Sequence, residues 1–220
     1  MVNKQLRIEG IEIGRDRLYD LLRKHSLLIK RKKTRVKTTN SKHGFRMYKN
    51  LIQDKEVSKA NEVYVSDITY IKTRADGYVY LSLITDLWSR KIVGYYLSKN
   101  LRVEGTIKAL ERAMSKSNPG IIHHSGRGIQ YCCNAYVEKL KRYGAHISMT
   151  EKDHVYENAL AARVNGILKE EFMLGEELPS YECAKRMVKE AVEIYNNERL
   201  HMSLGYATPA QKHEKMCQLY

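Results

Sequence analysis

No stretch of the 220 residues stays apolar long enough for a bilayer-spanning helix, which needs roughly 18 to 20 such residues. The opening MVNKQLRIEG lacks the apolar segment of a secretory signal, so a cytoplasmic protein is expected. Cysteine is scarce: Cys132, Cys133, Cys183 and Cys217 form no CxxC pair and have no histidine at zinc-finger spacing. The adjacent Cys132 and Cys133 cannot readily bridge each other, so reduced structural thiols are expected. Internal repeats and low-complexity tracts are also missing.

Hydrophobic residues make up 43% of the chain and charged residues 29%, enough for one sizeable domain plus a small appendage and too apolar for wholesale disorder. The formal charge of +14 is unevenly placed. Residues 1–60 hold 17 Lys/Arg against 6 Asp/Glu, whereas the other 160 hold 22 against 19. A basic arm on a nearly neutral body predicts a polyanionic partner, bound with release of counterions. The run IKRKKTRVK, with Lys30, Arg31, Lys32, Lys33, Arg35 and Lys37, is the densest part. A merely solvated basic face is the plain alternative. An anionic membrane surface is disfavoured, because no amphipathic helix with bulky aromatics accompanies the run.

Leu18, Leu21 and Leu22 recur at helical spacing after a turn at Gly14, like the second half of a helix-turn-helix, although core packing explains such leucines equally well. Residues 31–44 read as a linker, so the chain divides into a basic helical DNA-binding segment and linker, 1–44, and a core, 45–220. From residue 62 the period becomes two. EVYVSDITYIKT and YVYLSLITDL flank an Asp76-Gly77 hairpin, and KIVGYYLS follows as a third strand. Helices are then expected at 103–117, 130–143, 157–173 and 180–196, with short strands at GIIHH and AHISMT. That order predicts an α/β mixed sheet, three antiparallel strands then two parallel ones, flanked by helices.

Within the first strand, Asp67 shares one face with Val63, Val65, Thr69 and Ile71. A carboxylate on a central strand is costly to desolvate unless a cation or strong donor meets it. Asp86, in LITDLWSR, poses a milder form of the question, between turn-capping and function. The loop HHSGRGIQY, residues 123–131, looks like a strand-end catalytic loop that carries glycine where an acid would sit.

VSDITYI (65–71), TDLWSRKIVGYYLS (85–98), HHSGRGIQYCC (123–133), SMTEKDHVYENALAARVNGILKEEF (148–172) and YNNERLHMSLGYATP (195–209) occur in that order. Together they resemble the integrase-core transposases of bacterial insertion sequences. The resemblance implies a ribonuclease-H-like fold and, as in retroviral integrases, three acids holding two divalent ions, Mg²⁺ or Mn²⁺. It also implies double-stranded DNA as substrate (element ends and target), a homo-oligomer assembled on that DNA, and an upstream helix-turn-helix protein of the same element as a candidate partner. Two ions about 3.5–4 Å apart would clamp the attacking and leaving oxygens of an in-line displacement at phosphorus, and hard cations call for oxygen ligands.

By the same resemblance, Asp67 matches the first acid. The second falls at Gly126, where the family pattern is His-Ser-acid-Arg-Gly. The third falls at Ala162, where it is Asn-Ala-x-Ala-acid-Arg. The 35 residues between these two positions fit the family's spacing, so the resemblance implies an enzyme that has lost two acids. Asp86 is the candidate makeshift ligand; Asp153 and Glu157 are poorer ones. On the helix from 157, Asn158, Ala162, Asn165 and Lys169 share a polar side opposite Leu160, Val164, Ile167 and Leu168. The resemblance implies that Asn158, Asn165, Lys169 and Arg127 face DNA, while Arg199, His201, Tyr206, His123 and His124 are expected to be structural, with His124 bordering the site. Three functions follow: a transposase impaired in cutting and joining; a non-catalytic DNA-binding remnant or regulator of transposition; and a ribonuclease-H-fold nuclease that uses Asp67 with Asp86.

Overall fold

A computed structural model describes residues 2–29, 43–115, 119–151 and 158–214. The β-branched and aromatic runs form the strands β1 (Val63–Thr73), β2 (Gly77–Asp86), β3 (Ile92–Ser98), β4 (Ile122–Ser125) and β5 (His146–Met149). They make one sheet in the order β3-β2-β1-β4-β5. The first three pair antiparallel, and β4 and β5 join them parallel. The β1–β2 hairpin turns where expected. Gly77 adopts φ +72°, which glycine tolerates without strain. Thr73 locks the turn, its Oγ1 donating to the Gly77 carbonyl at 2.9 Å and accepting from the Asp76 N–H at 3.1 Å.

Helices follow as α1 (Val2–Ile8), α2 (Arg15–Lys24), α3 (Val103–Met114), α4 (Ile129–Cys132), α5 (Asn134–Arg142), α6 (Ala159–Glu171), α7 (Tyr181–Asn197) and α8 (Pro209–Glu214). One sheet face carries Ile71, Val79, Leu81 and Leu83 against Val164 and Leu168 of α6 and Val188, Val192 and Tyr195 of α7. The opposite face packs Tyr64 and Ile84 against Leu110 of α3 and Tyr136 and Leu140 of α5. Both faces of β1 are therefore covered, as the parallel part of such a sheet requires. Gly94 allows α3 to lie directly on β3, because a Cβ there would collide with the Ala109 carbonyl and Ala113. Ser180 caps α7 by accepting the Cys183 N–H at 3.3 Å.

Four expectations change. The single helix expected at 130–143 breaks at Cys133, whose ψ of 150° is extended. A helix, α1, precedes α2 and is tied to the turn by Asn3 Nδ2, which donates to the Ile13 carbonyl at 2.9 Å. Leu18 is buried but Leu21 is 39% exposed, so packing within the described residues does not account for the leucine spacing. The last helix, α8, had no periodic signal. Cys132, Cys133 and Cys183 are free thiols, and Cys217 lies outside the described residues. Among those residues no helix is long and apolar enough to cross a membrane.

Candidate active site

Asp67 sits on central strand β1, on the face that meets α6. Its partly exposed carboxylate accepts the Ile68 N–H at 2.9 Å on one oxygen and Asn165 Nδ2 at 2.8 Å on the other. Burial raises its pKa from 3.8 to about 6, against the opposing pull of those two hydrogen bonds and of Lys169.

The parallel register ends at Ser66↔Ser125, so Gly126, the first residue past β4, leaves the sheet next to the strand that carries Asp67. Gly126 has ordinary backbone geometry, and a Cβ built on it meets nothing within 4 Å. On α6, Asn158 Nδ2 donates to the Ser66 carbonyl at 2.9 Å and Asn165 reaches Asp67. Ala162 stands four residues after the first and three before the second, hence on the same stripe, and is exposed. Positions 67, 126 and 162 thus lie on three neighbouring elements: β1, the loop just after β4, and α6.

Several expected roles shift. Asn158 and Asn165 both turn inward onto β1, and Asn165 is only 7% exposed. Helical periodicity reports which residues share a face, not what that face meets. The spacing of Asn165 three residues after position 162 was the available sign of its link to Asp67. Lys169 is half-buried and acts electrostatically on the same carboxylate. Arg127, in the loop after β4, is half-buried and offers its carbonyl to His43 Nε2 at 2.9 Å. Its own Nε is buried with no hydrogen-bond partner among the described residues. Lys30, Arg31, Lys32, Lys33, Arg35 and Lys37 lie outside the described residues, as do Asp153 and Glu157.

Asp86 is not a makeshift ligand. It pairs with Tyr64, three residues along β1 from Asp67, whereas Asp67 pairs with Leu83. An odd offset points the two carboxylates to opposite faces, about 10 Å apart along the strands. Asp86 is fully buried and already engaged. Oδ1 accepts the Ser89 N–H and Oγ–H, both at 2.7 Å, and Oδ2 accepts the Asn61 N–H at 2.8 Å. It organises the turn after β2.

The histidines fill structural places. His123 Nε2 lies 2.9 Å from Ser66 Oγ and 3.0 Å from the Tyr136 hydroxyl. Burial lowers its pKa to about 3, so the ring is neutral at physiological pH. His124, in register with Val65, holds Ser148 Oγ at 2.8 Å through Nδ1 on the Asp67 side of the sheet. Near the C-terminus, Arg199 grips Glu171 at the end of α6 in a bidentate pair, Nε to Oε2 at 2.7 Å and Nη2 to Oε1 at 2.6 Å. His201 packs edge-on against Tyr195. Tyr206 is 39% exposed.

The donor set does not fit a pair of divalent ions. Around Asp67 stand two amides and a lysine, and no group of three or more His, Cys, Asp or Glu that could hold a metal exists among the described residues. What the site does offer is a proton equilibrium. Neutral Asp67 favours the folded state, fully so below about pH 4 and progressively less as pH rises through 6. Asp67→Asn is therefore expected to stabilise the fold by about 1–2 kcal/mol at pH 8 and by nothing at pH 4. Urea unfolding at the two pH values checks this; equal effects at both would contradict it.

Integrase core domain models match residues 57–154 and 143–209. The 31 kDa protein of insertion element IS600 from Shigella sonnei is 36% identical over 219 residues, covering 98% of this chain and 80% of its own length. Transposase InsF of insertion sequence IS3A from Escherichia coli (strain K12) is 32% identical over 215 residues, covering 96% of this chain and 74% of its own. In fold, the HTLV-2 integrase catalytic core, solved in complex with magnesium, superposes with a TM-score of 0.56 at 20% identity, over 70% of this chain and 97% of that one. A chain of the simian T-cell lymphotropic virus intasome, solved in complex with PP2A regulatory subunit B56 gamma, gives 0.61 at 18% identity, over 80% of this chain and 60% of that one. The sheet order, the motif order and these relatives agree: the chain belongs to the insertion-sequence transposases built on an integrase core of ribonuclease-H-like fold.

Proposed function

We propose that this transposase binds DNA but neither cuts nor joins it, because Gly126 and Ala162 stand where two of its three metal-holding acids belong. The reading is supported by the lack of an oxygen-bearing side chain at positions 126 and 162, on elements that border the strand of Asp67. Mg²⁺ or Mn²⁺ is the ion that a complete site would take, and it would supply charge stabilisation at the scissile phosphate. With Asp67 hydrogen-bonded at both oxygens and no other carboxylate at positions 126 and 162, the described residues offer no cage for it.

DNA contact rests on the basic residues of 1–44, Lys30 to Lys37 above all, acting on phosphates ahead of a core that begins near 45. Arg127 and Lys169 flank the Asp67 centre and would position a strand there without reading its sequence. Assembly as a homo-oligomer on DNA, with help from an upstream helix-turn-helix protein of the same element, fits this reading. A regulatory role is the second reading. It is favoured by Asn165, which satisfies Asp67 without metal and leaves a stable, silent centre that still occupies element ends.

The test is a mobility-shift and nicking assay on DNA from the element's termini in Mn²⁺. The expected result is retention that weakens steeply with salt, on DNA that stays intact. Nicking by the unmodified chain that disappears in Asp67→Ala would overturn the reading.

A further inference from the structure

At the outer edge of the sheet, β3, α3 and α7 enclose a groove of about 500 Å³ lined by Tyr95, Tyr96, Arg112, Tyr181, Lys185 and Lys189, among others. It lies away from the Asp67 centre, since β2 stands between β3 and β1. Lys185 and Lys189 stand one turn apart on α7, with Arg186 about 100° round the helix from Lys185, and all three line the groove. All three are exposed, and none forms an ion pair among the described residues. Arg112 adds a fourth cation from α3, and Glu182 is the one carboxylate of the lining.

The tyrosines hold cations in place. Arg112 sits over the rings of Tyr95 and Tyr96 at 5.6 and 5.4 Å, and Lys108 over Tyr96 at 4.8 Å. With those faces occupied, base stacking is a poor use for them, and the cations are left to meet phosphates. The edge of β3 is also closed to another strand: the Tyr95 carbonyl accepts Arg112 Nη1 at 2.8 Å, and the Leu97 carbonyl accepts the Tyr181 hydroxyl at 3.0 Å. A second copy brought face to face here would set four cations against four.

We infer that this groove is a second DNA-binding surface, which takes the phosphate backbone of duplex DNA without sequence preference. It acts whether or not the catalytic centre works, and its lack of base readout suits target or flanking DNA better than element ends.

Full-length protein is titrated into a labelled short duplex of arbitrary sequence across a salt series, and its sedimentation is recorded in parallel. Lys185→Ala/Arg186→Ala/Lys189→Ala is compared with Arg74→Ala/Lys141→Ala/Arg142→Ala, an equal change of charge at exposed sites outside both the groove and the basic arm. The groove variant is expected to flatten the slope of log affinity against log salt by about 2 to 3, near 0.9 per lost phosphate contact. The control variant is expected to flatten it by less than one such contact, with sedimentation unchanged in both. Equal losses in the two variants would overturn the inference. So would a groove variant that keeps its slope but dissociates into smaller species, which would mark the face as a contact between copies. Circular dichroism and unchanged thermal unfolding certify that the exposed alanines leave the fold intact.

Discussion

Gly126→Asp combined with Ala162→Glu is expected to turn the chain into a Mn²⁺-dependent nuclease on element-end DNA, with a rate at least on the order of 10³-fold above the unmodified protein. Both side chains have room. The Cβ at 126 enters open space on a backbone any residue adopts, and position 162 is exposed on the stripe that reaches Asp67. Neither change alone should suffice, since a centre that works as a unit loses most of its power with any one member gone. Arg127 and Lys169 remain to balance the added charge. Without metal the restored protein crowds three carboxylates, so it should melt lower than the original and recover when Mn²⁺ is added. Ligand that binds only the folded state stabilises it by mass action. The original should show no such response.

Asp86→Ala should produce the largest loss of stability of any single change at an acid in this chain, about 3 kcal/mol or more. Three donors, the Ser89 N–H, the Ser89 hydroxyl and the Asn61 N–H, converge on this fully buried carboxylate. Each is left without an acceptor on truncation, at about 1–3 kcal/mol apiece before relaxation. The Ser89 hydroxyl also lies 2.9 Å from His213 Nδ1 of α8, so the turn after β2 and the last helix should loosen together. Chemical denaturation measures the loss, and Asp86→Asn should recover part of it by keeping two acceptor sites. A loss under 1 kcal/mol would mean that the carboxylate is held for some purpose other than the turn.

The sheet was legible because its signals are local. Alternation over 62–73, the Asp76-Gly77 turn and the buried run at 121–124 each lie within a dozen residues. The placing of 67, 126 and 162 on neighbouring elements was legible only through motif order and spacing, which stand in for contacts that the sequence does not display. What escaped depends on partners far along the chain. Asn165 meets Asp67 across 98 residues and Asn158 meets Ser66 across 92, so a stripe that looks solvent-facing by periodicity is in fact turned onto a strand. Asp86 raised the same question as Asp67 in the sequence. Only pairing register separates them: an offset of three residues points one toward α6 and the other into a turn. Cys133 carries no breaker residue, yet its extended ψ divides α4 from α5, a break imposed by packing rather than propensity.

How many divalent ions the Asp67 carboxylate can retain, with no acid at its two companion positions, decides whether this transposase is catalytically silent. Calorimetric titration with Mn²⁺, run in parallel on the unmodified chain and on Gly126→Asp/Ala162→Glu, counts them directly. The expected result is two ions on the double variant and no saturable binding to the original. Two ions bound by the original, abolished by Asp67→Ala, would contradict it.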